Sequence, residues 1–114
     1  MLTLTPKDLA SLLDTSLDEI DLIDVRNISE YEEVHIPKAR LIPLPTLPLR
    51  IDEIDTKKQI IFICRSGGRS AQACTLLEKE SIPSYNLVGG MTDFEKEFPM
   101  MVSHGEKKKL FGLF

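Results

Sequence analysis

The chain has no tryptophan, only two cysteines and two histidines, and no long apolar run. A membrane-spanning helix needs roughly 20 consecutive apolar residues, and no stretch of this chain approaches that length. The first residues do not form the basic and then apolar leader that directs secretion. Two cysteines are too few for a disulfide framework. We therefore expect a cytoplasmic protein with free thiols.

The chain is acidic, with a formal net charge of −4. Nucleic-acid-binding domains usually carry a basic face, so we expect no nucleic-acid partner. Apolar residues make up 42% and charged residues 28% of the 114 positions, which are ordinary values for one globular domain. No Cys-x-x-Cys or His-x-x-x-His spacing occurs, and we expect neither a metal site nor a cofactor.

Short apolar runs alternate with amphipathic stretches along the chain. We predict strands at 2–4, 21–25, 40–42, 60–63 and 85–88, and helices after Thr5, from Ser29, near 49–54, over 70–80 and near 92–97. Thr5 and Ser29 are residue types that favour helix N-caps. Prolines at 43, 45 and 48 predict a surface turn between the third strand and a weak helix. This alternation predicts an α/β fold of three layers, with a central, mainly parallel sheet of about five short strands and helices on both faces.

The most informative segment lies between the strand at 60–63 and the helix that follows, and reads Cys64, Arg65, Ser66, Gly67, Gly68, Arg69, Ser70. A thiol between a strand's carboxyl end and a helix N-terminus lies among backbone N–H groups that bind anions. The two arginines add positive charge, and all of these groups favour thiolate over thiol. We therefore predict that Cys64 is a nucleophile and that residues 65–70 bind an anionic substrate. A simple turn beside a buried cysteine is the alternative, but it does not explain the two arginines.

Four segments together resemble the rhodanese, or sulfurtransferase, family. The Cys64 loop has the family's spacing, with four residues between the cysteine and Arg69. The other segments are Leu22–Arg26 with Glu30-Tyr31, then His35–Ala39, then Val88–Phe94. The resemblance covers about residues 3–98, with Val34 and Lys38 where the family usually has glycine and Phe94 where it usually has tryptophan. It implies a rhodanese-like domain over residues 1–99.

The resemblance also implies a reaction that passes through a persulfide. The Cys64 thiolate would attack the sulfane sulfur of a small anionic donor such as thiosulfate, sulfite would leave, and a thiol or cyanide would accept the sulfur. The loop amides would stabilise the negative terminal sulfur as an oxyanion hole stabilises oxygen. Arg65 and Arg69 would attract and orient the donor.

Three other functions are known for domains with this fold or with a loop of this kind. A domain that relays persulfide sulfur to a protein acceptor needs the same residues, so the sequence does not separate it from a thiosulfate sulfurtransferase. A regulatory binding module is disfavoured, because inactive members of this fold often lack the cysteine. A cysteine-dependent phosphatase of related fold has one more residue between cysteine and arginine, which disfavours phosphate binding here.

Several other chemically reactive residues have simpler structural explanations. Cys74 lies among alanines and leucines of a helix and is expected to be a buried structural thiol. Ser70 is expected to cap its helix, with a hydrogen bond to sulfur as the second interpretation. We expect Asp24 and Arg26 to form an ion pair at a strand end, and His35 to make structural hydrogen bonds rather than act as a base.

Residues 100–114 form a C-terminal tail that is basic and apolar. Its last part, residues 105–114, combines three lysines with Leu110, Phe111, Leu113 and Phe114. Ordering such a segment costs on the order of 15 kcal/mol, which exceeds the roughly 6 to 12 kcal/mol gained by burying its apolar side chains. We therefore expect weak, reversible contact with an anionic membrane or a partner, and packing on the domain's own surface is the alternative.

Overall fold

The computed structural model describes residues 1–105, which form a five-stranded parallel sheet with helices on both faces. The strands of this sheet are β1 (Leu2–Leu4), β2 (Ile20–Asp24), β4 (Arg40–Leu41), β5 (Gln59–Ile63) and β6 (Tyr85–Leu87), and their spatial order is β1-β6-β5-β2-β4. Two short strands, β3 (Val34–His35) and β7 (Ser103–His104), form a separate antiparallel pair. The helices are α1 (Pro6–Thr15), α2 (Ile28–Glu33), α3 (Gly68–Glu78) and α4 (Gly90–Glu97). The predicted α/β fold class is confirmed.

Strand alternation divides the apolar core into two clusters. On β5, Ile61 and Ile63 belong to one cluster and Ile60 and Phe62 to the other, because successive side chains of a strand point to opposite faces. The first cluster packs against α1 and α4, and the second packs against α3. Each fully buried aliphatic or phenyl side chain contributes about 1.5–3 kcal/mol to folding. Cys64 follows β5 and continues the alternation, so it lies on the α3 face.

Two helix predictions need correction. The helix predicted near 49–54 is only a 3₁₀ turn, Ile51–Glu53. It follows a second 3₁₀ helix, Leu44–Leu49, whose prolines lack the N–H groups that an α-helix requires. Helix α2 is capped by Asn27 rather than by Ser29, because the Asn27 side chain accepts the N–H of Glu30. In return, the Glu30 carboxylate accepts the N–H of Asn27, which completes a capping box.

The chain continues as folded structure beyond α4. A 3₁₀ helix at Pro99–Met101 leads into β7, whose residues pair with β3, and the Gly105 N–H donates to the Glu33 carbonyl. The domain boundary at residue 99 stays a prediction, and these contacts extend past it. The membrane or partner contact was predicted for residues 105–114, all of which except Gly105 lie outside the described residues. Within residues 1–105, no helix is both long enough and apolar enough to cross a membrane.

Candidate active site

Cys64 stands where β5 ends, and α3 begins four residues later at Gly68. The residue that caps α3 is Gly67, whose φ of +112° lies in the left-handed region that favours glycine. This conformation turns the Gly67 N–H back toward the cysteine, and it donates to Cys64 Sγ over 3.0 Å. Ser66 and Gly68 are exposed on either side of this turn. The loop is therefore shaped around the sulfur atom.

The Cys64 thiol is 1% exposed, yet its surroundings favour its anion. Burial by itself raises the pKa, but hydrogen bonds from the Ser70 hydroxyl and from the backbone N–H groups of Ser70, Gly67 and Ser66 outweigh it. The pKa of Cys64 is consequently lowered from its ordinary value. Hydrogen bonds to the charged form act in this way on any acid. The thiol is thus both desolvated and disposed to ionise.

Ser70 contacts the sulfur and does not cap the helix. Its hydroxyl oxygen lies 3.3 Å from Cys64 Sγ and 2.5 Å from Oδ1 of Asn86. The cap prediction was wrong because α3 starts at Gly68, which places Ser70 inside the first turn. Asn86, on β6, was not among the predicted site residues. It also donates from Nδ2 to the carbonyl of Gly67 over 3.1 Å, so it contacts both Ser70 and the capping residue.

Arg65 and Arg69 are held together by one carboxylate, that of Glu30. Arg69 donates to Glu30 through both terminal nitrogens, at 2.7 and 2.9 Å, and Arg65 donates through Nε at 3.2 Å. The bidentate contact with Arg69 is the main reason why the pKa of Glu30 falls to about 2. That the two arginines also favour the Cys64 thiolate and orient a donor stays a prediction. The Cys64 charge contributes only a smaller part of the raised pKa of Arg69.

Glu30 itself was missed as a site residue. The sequence signal for its position was Asn27-x-x-Glu30, the spacing of a capping box, which fixes the carboxylate at the start of α2. Its side chain is 12% exposed, whereas that of Arg65 is 64% exposed. The first turn of α2 therefore supplies a fixed anion, and Arg65 is the more exposed partner in the pair.

Two backbone hydrogen bonds from helix α4 hold the start of the Cys64 loop. The N–H of Met91 donates to the Cys64 carbonyl over 2.9 Å, and the N–H of Thr92 donates to the Arg65 carbonyl over 3.1 Å. Gly90 permits this approach, because a Cβ there would overlap the backbone of Cys64 and Arg65. With their carbonyls held by α4, the loop residues direct their N–H groups toward the sulfur.

The residues considered as acid or base groups have structural roles. Arg26 and Asp24 form a buried ion pair at 2.8 Å, and Arg26 also donates to the Val34 carbonyl. The ring of His35 stacks on Tyr31 with centroids 4.0 Å apart, and its Nδ1 lies 2.8 Å from the Tyr31 carbonyl. Both expectations are confirmed. In the part of the chain that the structure describes, no group of His, Cys, Asp and Glu side chains is placed to hold a metal ion.

Cys74 lies inside α3 and is fully buried. Burial raises the pKa of its thiol. The thiol therefore stays protonated at neutral pH, as expected for a structural cysteine.

Comparisons with known proteins agree with this geometry. The family model of the rhodanese-like domain matches residues 5–97. YtwF of Bacillus subtilis, which carries a provisional sulfurtransferase name, is 39% identical over 80 residues, which make up 70% of this chain and 78% of YtwF. YrkF of the same organism carries a provisional sulfur-carrier name. It is 37% identical over 78 residues, with 68% of this chain and 42% of YrkF covered.

A yeast relative and a solved structure extend the comparison. The thiosulfate:glutathione sulfurtransferase of Saccharomyces cerevisiae is 32% identical over 101 residues, covering 76% of this chain and 68% of the yeast protein. The crystal structure of a rhodanese-like domain protein from Staphylococcus aureus superimposes with a TM-score of 0.77 at 31% identity. That match covers 82% of this chain and 91% of the Staphylococcus chain. Sequence, fold and relatives agree, and the chain belongs to the rhodanese-like family.

Proposed function

We propose that this chain is a sulfurtransferase that carries sulfane sulfur as a persulfide on Cys64. The observation that carries the proposal is the environment of the Cys64 thiol. It is buried at the end of β5, accepts a hydrogen bond from the Gly67 N–H, lies within 3.3 Å of the Ser70 hydroxyl oxygen, and has a lowered pKa. A desolvated thiolate among fixed N–H donors is suited to nucleophilic attack and to holding a negatively charged product.

The proposed reaction has two steps, each a displacement at sulfur. The Cys64 thiolate forms a bond to the outer sulfur of thiosulfate, the S–S bond of the donor breaks, and its electron pair leaves with sulfite. An acceptor thiolate or cyanide then attacks the terminal sulfur of the persulfide, whose S–S bond breaks and returns the Cys64 thiolate. Neither step needs a cofactor, and the two half-reactions predict ping-pong kinetics.

The charges at the site suit a small anionic donor that displaces Glu30 from one arginine. Arg65, Arg69 and Glu30 together carry one net positive charge, which favours an anion at this site. Because Arg65 is 64% exposed and bound to Glu30 only through Nε, its guanidinium is the group that turns toward the donor at least cost. The name of the yeast relative, which includes both thiosulfate and glutathione, supports such a donor and a thiol acceptor.

A sulfur relay to a protein partner is the second candidate, and the provisional name of YrkF favours it. It uses the same persulfide and differs in donor and acceptor. A rate of loading that is high with a low-molecular-weight persulfide and negligible with thiosulfate would favour the relay.

Intact mass spectrometry tests the shared step. After incubation with thiosulfate or glutathione persulfide, the protein should gain the mass of one sulfur atom, and cyanide should remove it. Cys74→Ala is the matched control and should gain the same mass, whereas Cys64→Ser should gain none. A gain that persists in Cys64→Ser, or no gain with either donor, would contradict the proposal.

A further inference from the structure

The hydroxyl of Ser70 lies between two acceptors but has one hydrogen to donate. Its oxygen is 3.3 Å from Cys64 Sγ and 2.5 Å from Asn86 Oδ1. Ser70 is fully buried, which separates its hydroxyl from bulk solvent. The hydrogen is therefore shared between the thiol and the amide, and its position affects the charge on sulfur.

The Asn86 amide is oriented by Gly67. Its Nδ2 donates to the Gly67 carbonyl over 3.1 Å, and a carbonyl oxygen can only accept. The other end of the amide, Oδ1, must then face Ser70. Two oxygen atoms 2.5 Å apart require a hydrogen between them. In this arrangement Ser70 donates to Asn86 and turns a lone pair toward Cys64.

We propose that Asn86 is a positioning residue that controls the protonation of Cys64 through Ser70. While Asn86 holds the hydrogen, the Ser70 oxygen can accept the S–H of a neutral thiol. Ionisation of Cys64 requires the hydroxyl to rotate and donate to sulfur instead, which leaves Asn86 Oδ1 without that donor. Asn86 thus opposes the stabilisation that Ser70 gives to the thiolate.

The same competition has a consequence during turnover. In a persulfide the negative charge lies on the terminal sulfur, so Sγ is a weaker acceptor and the Ser70 hydrogen returns to Asn86. This part of the inference rests on the proposed function. The hydrogen-bond competition itself concerns the free thiol and does not depend on sulfur transfer.

The charged groups around Cys64 keep a constant charge in the pH range of the test. Arg65 and Arg69 flank it along the chain, and Glu30 of α2 contacts both. The Asp24–Arg26 ion pair lies at the carboxyl end of β2, Asp93 of α4 lies beside Gly89, and β6 presents the uncharged Asn86 on this face. The pKa of Glu30 is about 2 and that of Arg69 is raised. Neither of these groups changes charge between about pH 5 and pH 9, where a thiol is titrated.

The test measures the rate of Cys64 alkylation by iodoacetamide as a function of pH, with peptide mass mapping to separate Cys64 from Cys74. Asn86→Ala should react roughly 3- to 10-fold faster than wild type below the thiol midpoint, because the Ser70 hydrogen is released to sulfur. Ser70→Ala should react more slowly than wild type. The two variants thus move the pH profile in opposite directions, whereas simple loosening of the loop would move both in the same direction.

The double variant shows whether Asn86 acts through Ser70. Ser70→Ala with Asn86→Ala should have the pH profile of Ser70→Ala alone. An unchanged or slower rate in Asn86→Ala would overturn the inference. So would an Asn86→Ala effect of equal size with and without Ser70, because Asn86 would then act through Gly67. If Asn86→Ala does not fold, Asn86→Val, which suits a strand, replaces it with the same expectation. If the alkylation rates change as expected but no persulfide forms, the proposed function is overturned and this inference stands.

Discussion

Cys64 and Cys74 belong to the same apolar cluster and are at most 1% exposed, yet their thiol pKa values shift in opposite directions. Burial raises the pKa of both. At Cys64, donors from Ser70, Gly67 and Ser66 reverse that effect, whereas at Cys74 the effect of burial prevails. The number of hydrogen-bond donors directed at sulfur decides reactivity here, and burial does not.

The difference in donors follows from the position of each cysteine relative to α3. The N–H groups of the first helical turn have no carbonyl partner within the helix, so those near Cys64 are free to point at its sulfur. Cys74 lies in the helix interior, where each N–H bonds to the carbonyl four residues earlier. The same helix therefore activates a thiol before its N-terminus and leaves one in its interior inert.

The largest expected difference between the two cysteines is in catalysis. Cys64→Ser should lower the production of thiocyanate from thiosulfate and cyanide by about three orders of magnitude or more, because the attacking thiolate is lost. Cys74→Ala should retain the activity and lose about 1 kcal/mol of stability to a small cavity. Equal rates in wild type and Cys64→Ser would show that the difference between the two cysteines has no bearing on catalysis.

The next difference is in alkylation. With limiting iodoacetamide near pH 6.5, Cys64 should be labelled about 100-fold faster than Cys74, since each unit by which the pKa is lowered raises the thiolate fraction about tenfold in this range. Protein unfolded in guanidinium chloride is the control, and both cysteines should then react at similar rates. Similar rates in the folded protein would mean that the loop donors do not activate Cys64.

A backbone substitution should disturb Cys64 and leave Cys74 unaffected. Gly90 has φ of +57°, and a Cβ there would overlap the backbone of Cys64 and Arg65. Gly90→Ala should therefore slow Cys64 labelling about tenfold and cost about 1–2 kcal/mol or more in a urea titration.

Gly68→Ala is the matched stability control for that substitution. A Cβ at Gly68 meets no atom within 4 Å, and alanine favours a helix over glycine. The Gly68 variant should unfold at the wild-type urea midpoint or above it. A Gly90→Ala protein with wild-type labelling and stability would show that α4 does not hold the loop.

The smallest expected effect is the contribution of Glu30 to stability at low pH. The pKa of Glu30 falls from 4.5 to about 2 on folding, mainly through Arg69, so the ionised group stabilises the native state above pH 4.5. That contribution is lost as the pH falls from 4.5 toward 2. Glu30→Gln should be about 1 kcal/mol less stable at pH 7 and should lose less stability than wild type across this window.

Urea midpoints at pH 7, pH 4.5 and pH 2.5 measure this difference. Arg50→Gln is the control, since its ion pair with Glu53 lies on the surface of the 3₁₀ segment and away from the Cys64 loop. Parallel pH curves for wild type and Glu30→Gln would remove Glu30 from the account of how the loop is held.

The parts of the structure that could be predicted from the sequence depend on neighbours along the chain. The continuous apolar run from Ile60 to Ile63 indicates a buried strand, and the glycines after Cys64 indicate a turn into a helix. Both signals are local, because strand periodicity and left-handed turns depend on a few consecutive residues. The Asp24–Arg26 ion pair is also local, because its members are two positions apart.

The missed residues act across long sequence separations. Glu30 and Arg69 are 39 positions apart, and Ser70 and Asn86 are 16 apart. The short pairing of β3 with β7 was missed for the same reason, since Val34 pairs with His104. Periodicity carries no information about which distant side chains meet at one edge of a sheet.

The sequence by itself determined the family, the α/β fold and the loop that contains Cys64, because each is encoded in contiguous motifs. Only the tertiary structure decided what surrounds the sulfur. Parallel pairing of β2, β5 and β6 brings their carboxyl ends to one edge, and α2, Asn86 and α4 meet the loop there. The arginines consequently pair with Glu30, and the thiol is controlled by backbone N–H groups and Ser70, because hydrogen bonds act over about 3 Å and depend on where folding places each donor.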